Sequence, residues 1–203
     1  MHPIVIIGSG MAGYAAAREF RKLNTEQELV MICADDAANY AKPTLSNAFA
    51  LKKAPEQIAL GDAEKMATQL NMRIVNHTWV KNIDATAQEI QLENTQGEAS
   101  TQAYSQLVLA VGAHAIRLAI AGDGSDDIHT VNSLTEYKNF RACLDQRQHK
   151  RVVILGAGLI GCEFANDLQN TGHEVTVVDL APLPLGRLLP THRSEERRVG
   201  KEC

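Results

Sequence analysis

The chain has 203 residues, of which 45% are hydrophobic and 22% charged, and its formal charge is -4 at pH 7. These values are typical of a globular protein and do not favour nucleic acid or an anionic membrane surface as the main partner. No apolar run approaches the length of a membrane span, and the first predicted strand begins at Ile4, which leaves no room for a signal peptide. We therefore expect a cytoplasmic protein without a membrane span.

The chain opens with the pattern of a dinucleotide-binding βαβ unit. The β-branched run Ile4–Ile7 predicts a buried strand of a parallel sheet, a helix is expected over Ala12–Leu23, and a second strand over Leu29–Cys33. A G-x-G-x-x-G motif joins the first strand to the helix, which is the context that this otherwise weak motif requires. The motif consists of Gly8, Ser9, Gly10, Met11, Ala12 and Gly13.

The middle of the chain reads as the continuation of the same domain rather than as a linker. Alternating polar and apolar residues predict a half-exposed hairpin strand, and a serine followed three residues later by glutamate predicts a capped helix. In chain order, the predicted elements are a loop and short helix at Tyr40–Asn47, a helix at Ala63–Leu70, strands at Arg73–Val75, Trp79–Val80 and Glu89–Glu93, a turn at Asn94–Gly97, a return to the parallel sheet at Leu107–Gly112 and a helix at Ser133–Gln146.

A second copy of the βαβ pattern follows. It begins with the strand Val152–Leu155, continues through a helix over Leu159–Asn170 with Gly172 as the C-terminal cap, and ends with the strand Glu174–Val178. Its G-x-G-x-x-G motif consists of Gly156, Ala157, Gly158, Leu159, Ile160 and Gly161.

The glycines have a chemical purpose in both motifs. The first permits the tight turn, the second lets a pyrophosphate approach the backbone, and the third lets the helix pack closely on its strand. The helix N-terminus then offers free N–H groups and a favourable dipole to the phosphates. A glycine-rich turn that binds nothing is the alternative, but two copies with full context favour two nucleotides, a flavin and a nicotinamide.

Acidic residues follow both second strands. Asp179 is placed to accept hydrogen bonds from the adenosine ribose, where it would repel the extra phosphate of NADP, so NADH is the expected co-substrate. Its alternative role is that of an ordinary turn residue. In the first copy either Asp35 or Asp36 could reach the ribose, and we favour Asp35.

The cysteines and histidines indicate no further chemistry. The four cysteines form no C-x-x-C pair, and no metal-ligand cluster is visible, so we predict no metal site and no dithiol step. We assign no catalytic role to any of the scattered histidines.

The chain resembles the FAD-dependent pyridine-nucleotide oxidoreductases and, within that family, the bacterial rubredoxin–NAD reductases. The resemblance extends over residues 1–192. It is carried by Ile6–Tyr14, Asn39–Ser46, Leu109–Ala113 and Gly156–Glu163.

This resemblance implies an α/β fold with two Rossmann-like domains, parallel sheets with flanking helices, the second of them incomplete. It implies that the first glycine motif holds the FAD pyrophosphate and that Lys42 and Pro43 sit beside the flavin. Main-chain atoms of Val80 would meet the adenine, and Ala110 and Gly112 would line the crossover between the domains.

The resemblance also implies a position near the flavin and nicotinamide rings for Glu163, in the first turn of its helix. An acid that merely complements the helix dipole is the alternative. Related ferredoxin reductases pair this glutamate with a lysine, but Asn47 stands at the corresponding position here. Their charge arrangement therefore cannot be transferred to this chain.

The function implied is electron transfer from NADH through FAD to a one-electron iron protein, rubredoxin, with a role in electron supply to alkane hydroxylation. A ferredoxin reductase and the flavin part of a nitrite reductase are alternatives. A non-catalytic nucleotide-binding fragment is an alternative of another class.

The expected organisation has four parts. Residues 1–115 form the N-terminal part of an FAD-binding domain, residues 116–149 a connection with a helix, and residues 150–192 a truncated NAD-binding βαβ unit. The tail 193–203 resembles the translation of a sequencing-library adapter, and we expect it to be an artefact that takes no part in the fold.

Overall fold

The structure is a computed structural model that describes residues 2–148, 150–193 and 195. Most of the tail predicted to be an artefact therefore lies outside the described residues, as do His149 and Cys203. The chain divides into two compact units. The first comprises residues 1–41 and 59–116, and the second comprises residues 42–58 and 117–203.

The first unit is built on a parallel sheet of four strands in the order β3-β2-β1-β7. The strands are β1 (Ile4–Ile7), β2 (Leu29–Ile32), β3 (Arg73–Val75) and β7 (Gln106–Leu109). β1 is central, with Ile7 opposite Ile32 on one side and Leu109 on the other. The unbroken apolar runs of β1 and β2 are buried, as expected of strands covered on both faces.

Alternate side chains of these strands enter two different cores. Ile6 and Met31 pack with Tyr14 and Ala17 of helix α1 (Met11–Leu23) and with Met66 of helix α2 (Ala63–Gln69). On the opposite face, Val5, Ile7, Val30 and Ile32 pack with Ile90, Leu92 and Tyr104. Because successive side chains of a strand point to opposite faces, the same strands contribute to both cores.

The second layer is an antiparallel meander in the order β4-β5-β6. Its strands are β4 (Thr78–Asp84), β5 (Glu89–Asn94) and β6 (Ala99–Ala103). The predicted turn at Asn94–Gly97 is present, since the Gly97 N–H donates to the Asn94 carbonyl. β4 is longer than the predicted Trp79–Val80, since its outer part pairs with β5 after a bulge between Val80 and Asn82. This outer part is largely polar and was therefore not predicted as a strand.

The second unit contains the other βαβ element. Strand β8 (Arg151–Leu155) is parallel to β9 (Glu174–Val178), and helix α4 (Leu159–Gln169) connects them. Helix α3 (Leu134–Gln146) precedes β8, and the predicted capping box at Ser133 and Glu136 is formed. None of the helices in the described part of the chain is long and apolar enough to cross a membrane.

The α/β class with parallel sheets and flanking helices is confirmed, and most element bounds agree with the predictions. Besides β4, the stretch after Leu107 differs. The apolar run from Leu107 was expected to stay in the sheet as far as Gly112, but β7 ends at Leu109. The Ala110 N–H still donates to the Ile7 carbonyl, and the chain then turns through Gly112, whose φ of +69° is unsuited to a strand.

Candidate functional site

The first glycine motif forms a tight strand-to-helix turn. Gly8 has a φ of +110°, and its N–H donates to the Ile32 carbonyl over 2.8 Å. A Cβ on Gly8 would lie 2.2 Å from the Ala110 oxygen, and one on Gly13 would lie 1.9 Å from the Gly8 oxygen. No side chain could be accommodated at either position without moving the backbone. Gly10, by contrast, faces open space, with nothing within 4 Å of a Cβ placed there.

The second motif repeats this geometry. Gly156 has the same φ of +110°, and its N–H donates to the Val178 carbonyl over 2.8 Å. A Cβ on Gly161 would lie 1.9 Å from the Gly156 oxygen, whereas one on Gly158 would meet nothing within 4 Å. The two motifs therefore share one backbone design.

The starts of both following helices lack side-chain caps. Gly10 and Gly158 are the N-caps of α1 and α4, neither cap receives a side-chain hydrogen bond, and the first turns contain no acidic residue. The first N–H groups of a helix have no partner within the helix. Met11, Leu159 and Ile160 expose their side chains at these helix starts. Each helix start is thus open to an anionic ligand.

Asp35 is joined directly to the first motif. Its Oδ1 accepts a hydrogen bond from Ser9 Oγ at 2.6 Å and another from the Ala37 N–H at 3.1 Å. Asp36 accepts from the Ala38 N–H, in the turn itself. Of the two candidates for the ribose, Asp35 is the one connected to the glycine motif.

Tyr14 closes the same turn from the helix side. Its hydroxyl donates to the Ala37 carbonyl, and the ring is fully buried. Burial, followed by the charges of Cys33 and Asp35, raises the pKa of the Tyr14 phenol well above its usual range, so the hydroxyl remains a donor. No local sequence pattern predicts this contact.

Asp179 is joined to the second motif in a corresponding way. Its carboxylate accepts from the Ala157 N–H at 2.5 Å and from the Ala181 N–H at 2.6 Å. These backbone hydrogen bonds, that from Ala181 first, lower the pKa of Asp179. In both motifs the residue after the first glycine is therefore bonded to the acid, through the Ser9 side chain in one copy and through the Ala157 main chain in the other.

The two copies differ in which residue follows the second strand. Asp179 comes directly after Val178, and the residue directly after Ile32 is Cys33. Cys33 is buried, and burial together with the Asp35 charge raises the pKa of its thiol to about 12. A neutral side chain thus occupies the place where the second copy has its carboxylate, and the first copy supplies its acid two residues later.

Glu163 lies in the second turn of α4, not in the first as predicted, because the helix begins at Leu159. Its Oε2 accepts a hydrogen bond from Ser46 Oγ at 2.6 Å. The Pro43 carbonyl lies 3.0 Å from the same hydroxyl. One hydroxyl has one proton, so it can donate fully to only one of these acceptors. Ser46 ends the 3₁₀ helix Lys42–Ser46, which contains the two residues predicted to lie beside the flavin.

The remaining predicted residues lie in ordered parts of the first unit. Val80 is half-buried in β4 against the second core, just before the bulge. The Ala110 carbonyl is the group that a Cβ on Gly8 would meet first. Among the described residues, no group of three or more His, Cys, Asp or Glu could hold a metal ion, and the cysteines are free.

Asp167 is a buried residue of α4 that was not predicted from the sequence. It lies one turn beyond Glu163 on α4 and is only 1% exposed. Its Oδ2 accepts from the Phe49 N–H at 3.0 Å and its Oδ1 from the Ala50 N–H at 2.6 Å. The four-residue spacing from Glu163 is a visible signal, since residues at that spacing share a helix face. The buried turn that Asp167 holds could not be inferred from spacing.

Known proteins of one family are similar to this chain over most of its length. Residues 2–198 match the pyridine nucleotide-disulphide oxidoreductase family. The chain belongs to this family. Rubredoxin-NAD(+) reductase of Acinetobacter baylyi is 72% identical over 192 residues, which cover 95% of this chain and 49% of that protein. The enzyme of the same name from Alcanivorax borkumensis is 44% identical, covering 94% of this chain and 47% of that protein.

Members of known structure have the same fold. A ferredoxin reductase of Rhodopseudomonas palustris matches with a TM-score of 0.83 and 28% identity, covering 98% of this chain and 48% of that one. NADH:rubredoxin oxidoreductase of Clostridium acetobutylicum matches with a TM-score of 0.79 and 22% identity, over 98% of this chain and 51% of that one, and supports the fold alone. The chain spans about half the length of the curated relatives that it matches.

Proposed function

We propose that this chain carries the two dinucleotide sites of an NADH-dependent FAD reductase that passes electrons to a small one-electron iron protein, with rubredoxin as the acceptor. The observation that carries the proposal is the repeated glycine turn. Gly8 and Gly156 share a φ of +110°, and each motif has a third glycine that would collide with the first if it bore a side chain. The choice of rubredoxin as the acceptor is supported by the two relatives described above, both of which are named rubredoxin-NAD(+) reductase.

The residues present fit two pyrophosphates. Open space at Gly10 and Gly158 allows a ligand to approach the main chain, and the uncapped helix starts offer N–H donors. The FAD site would comprise Gly8–Gly13, Asp35, Lys42, Pro43, Val80, Ala110 and Gly112. The NAD site would comprise Gly156, Gly158, Leu159, Ile160, Gly161, Glu163 and Asp179.

Asp179 supports NADH rather than NADPH. Each of its oxygens accepts one backbone N–H and keeps a further lone pair that could receive a ribose hydroxyl. The carboxylate is ionised at neutral pH, and its backbone hydrogen bonds lower its pKa further, so it would repel a 2′-phosphate.

When bound, FAD supplies the means to accept two electrons together and release them one at a time, which an iron centre requires. The protein's contribution is to position the two nucleotides and to set the charge around them. No side-chain acid or base is needed for this, and Glu163, held by Ser46, would contribute negative charge and orientation near the rings.

The test is the visible absorption spectrum of the purified chain, reconstituted with FAD, before and after NADH is added without oxygen. Flavin bands that bleach with NADH but only weakly with NADPH are expected, followed by reoxidation by rubredoxin faster than by ferredoxin. A protein that binds FAD but does not bleach would be a nucleotide-binding fragment without turnover. A protein that binds neither nucleotide would refute the proposal.

A further inference from the structure

Helix α4 contacts the segment 42–50 through two acidic side chains. Glu163 and Asp167 are four residues apart and therefore lie on one helix face. Glu163 accepts from Ser46, and Asp167 accepts from the main chain of Phe49 and Ala50. All of these residues belong to the second unit.

Asp167 makes the more specific of these contacts. Both of its oxygens are used, each by one of two consecutive N–H groups, and the side chain is almost completely buried. Burying a carboxylate is costly unless hydrogen bonds compensate it. A neutral acceptor would bind the two amides less strongly than the carboxylate does, since hydrogen bonds to an ionised group are about twice as strong as neutral ones.

The side chain of Phe49 is fixed separately by α3. Its ring lies edge-on to Tyr137 at 6.0 Å, and the Arg141 guanidinium lies 4.0 Å from its centroid. Phe49 is thus held by α3 through its ring and by α4 through its N–H. The turn that contains it follows directly from the 3₁₀ helix Lys42–Ser46.

We propose that Asp167 is a positioning residue which, with Glu163, makes the segment Lys42–Ala50 move and order together with helix α4. This proposal rests on the proposed binding of NADH at the second glycine motif, where α4 begins. NADH bound at the start of the helix would then tighten the segment that carries Lys42 and Pro43, the residues predicted to lie beside the flavin. The second nucleotide site would thus be coupled through this helix to a segment of the same unit.

Hydrogen exchange of backbone amides in the full chain, with and without NADH, tests the coupling. We expect NADH to slow exchange both in the motif Gly156–Gly161 and at Phe49 and Ala50. A protected motif beside an unchanged Phe49 and Ala50 would overturn the coupling alone. If NADH protected neither region, the proposed nucleotide site would fail, and the coupling with it.

Asp167→Asn provides the matched variant. Its amide nitrogen cannot accept a hydrogen bond, so one of the two N–H groups loses its partner, and exchange there should be roughly tenfold faster or more without nucleotide. NADH should still protect Gly156–Gly161 in this variant but no longer Phe49 and Ala50. Retained protection of these two amides would overturn the assignment, because the effect of NADH would then reach them without the Asp167 carboxylate.

Two further variants complete the test. Asp126→Asn makes the same chemical change at an exposed carboxylate of the same unit and should behave like the unmodified chain. Ser46→Ala removes the hydroxyl that Glu163 and the Pro43 carbonyl share but keeps both amides on Asp167, so it tests the coupling should Asp167→Asn not fold. It should reduce the protection that NADH gives to the segment without abolishing it, and an undiminished response would contradict the part assigned to Glu163.

Discussion

Ser9 Oγ donates a hydrogen bond of 2.6 Å to Oδ1 of Asp35, and this bond ties the first glycine motif to the turn that follows β2. The turn is closed again by Tyr14, whose hydroxyl donates to the Ala37 carbonyl. Asp35 also accepts from the Ala37 N–H. The motif, the helix that follows it and the acidic turn are therefore one hydrogen-bonded arrangement.

This arrangement predicts which aspartate matters for FAD. Asp35→Ala removes the acceptor of Ser9 and the predicted ribose contact, and we expect FAD affinity to fall by roughly tenfold to a hundredfold, since hydrogen bonds to charged groups contribute about 1.5–3 kcal/mol. Asp36→Ala removes one bond within the turn and should lower affinity only a few-fold. Fluorescence titration of the apoprotein with FAD measures both, and equal losses would contradict the choice of Asp35.

The third and second glycines of a motif should respond differently to the same change. Gly161→Ala places a methyl group 1.9 Å from the Gly156 oxygen and should destabilise the second unit by about 1–3 kcal/mol or more. Gly158→Ala meets no neighbour, so the fold should be kept while NADH binding is lost, because the methyl group occupies the open space beside the main chain. Thermal unfolding and NADH titration separate the two effects.

Gly124→Ala is the control for this pair, since its φ is -90° and nothing lies within 4 Å of the added carbon. It should leave both unfolding and NADH binding unchanged. A stable Gly161→Ala protein that binds NADH normally would show that the close approach is not required.

Local pattern was sufficient to predict much of this fold. The bounds of β1 and β9 agree with the predicted strands, because β-branched runs beside glycine turns leave little choice of structure. Pattern failed where long-range pairing decides the outcome, as in the extension of β4 to Asp84, where the strand is polar and depends on β5.

In the candidate site, too, local pattern predicts some features and long-range packing determines the others. The glycine motifs, Asp179 and Glu163 follow from spacing and from the resemblance to the family. The partners of these residues do not, because Ser46 is 117 residues from Glu163, and Phe49 is 118 residues from Asp167. Such contacts depend on how the helix packs, which no local pattern records.

Arg21 is predicted to be a major stabilising residue of the first unit. Its guanidinium donates to four carbonyls, those of Asn24, Gln27, Leu70 and Asn71, and so joins the end of α1 to the end of α2. Arg21→Ala should lower the free energy of unfolding by about 1.5–3 kcal/mol, because several charge-assisted hydrogen bonds are lost together. Lysine at this position could not reproduce the planar fork.

Lys22→Ala is the matched control for Arg21→Ala. Lys22 forms an exposed pair with Glu19, in which both side chains are more than 60% accessible. Pairs of this kind contribute about 0–1 kcal/mol. Chemical denaturation of both variants gives the comparison, and a similar loss in both would show that the four carbonyl contacts of Arg21 add little.

Cys33 should be protected from alkylation in the folded protein. Its pKa of about 12 leaves a thiolate fraction on the order of one in ten thousand at pH 8, and the thiolate is the reactive form. Treatment with iodoacetamide followed by peptide mass spectrometry should find Cys33 unmodified in the native chain and modified in denaturant. The half-exposed Cys143 and Cys162 should react more readily. Modification of Cys33 at the rate of Cys143 would contradict its burial in the turn after β2.

The same pKa predicts a pH dependence of stability. The folded state holds the Cys33 proton until about pH 12, whereas the unfolded state releases it near pH 9. The unfolded state therefore binds fewer protons between these values, and the contribution of Cys33 to stability is complete below pH 9 and is lost as the pH rises towards 12. Denaturation midpoints should fall over this range more steeply for the unmodified chain than for Cys33→Ala. Parallel pH profiles would show that the thiol is not held neutral by the fold.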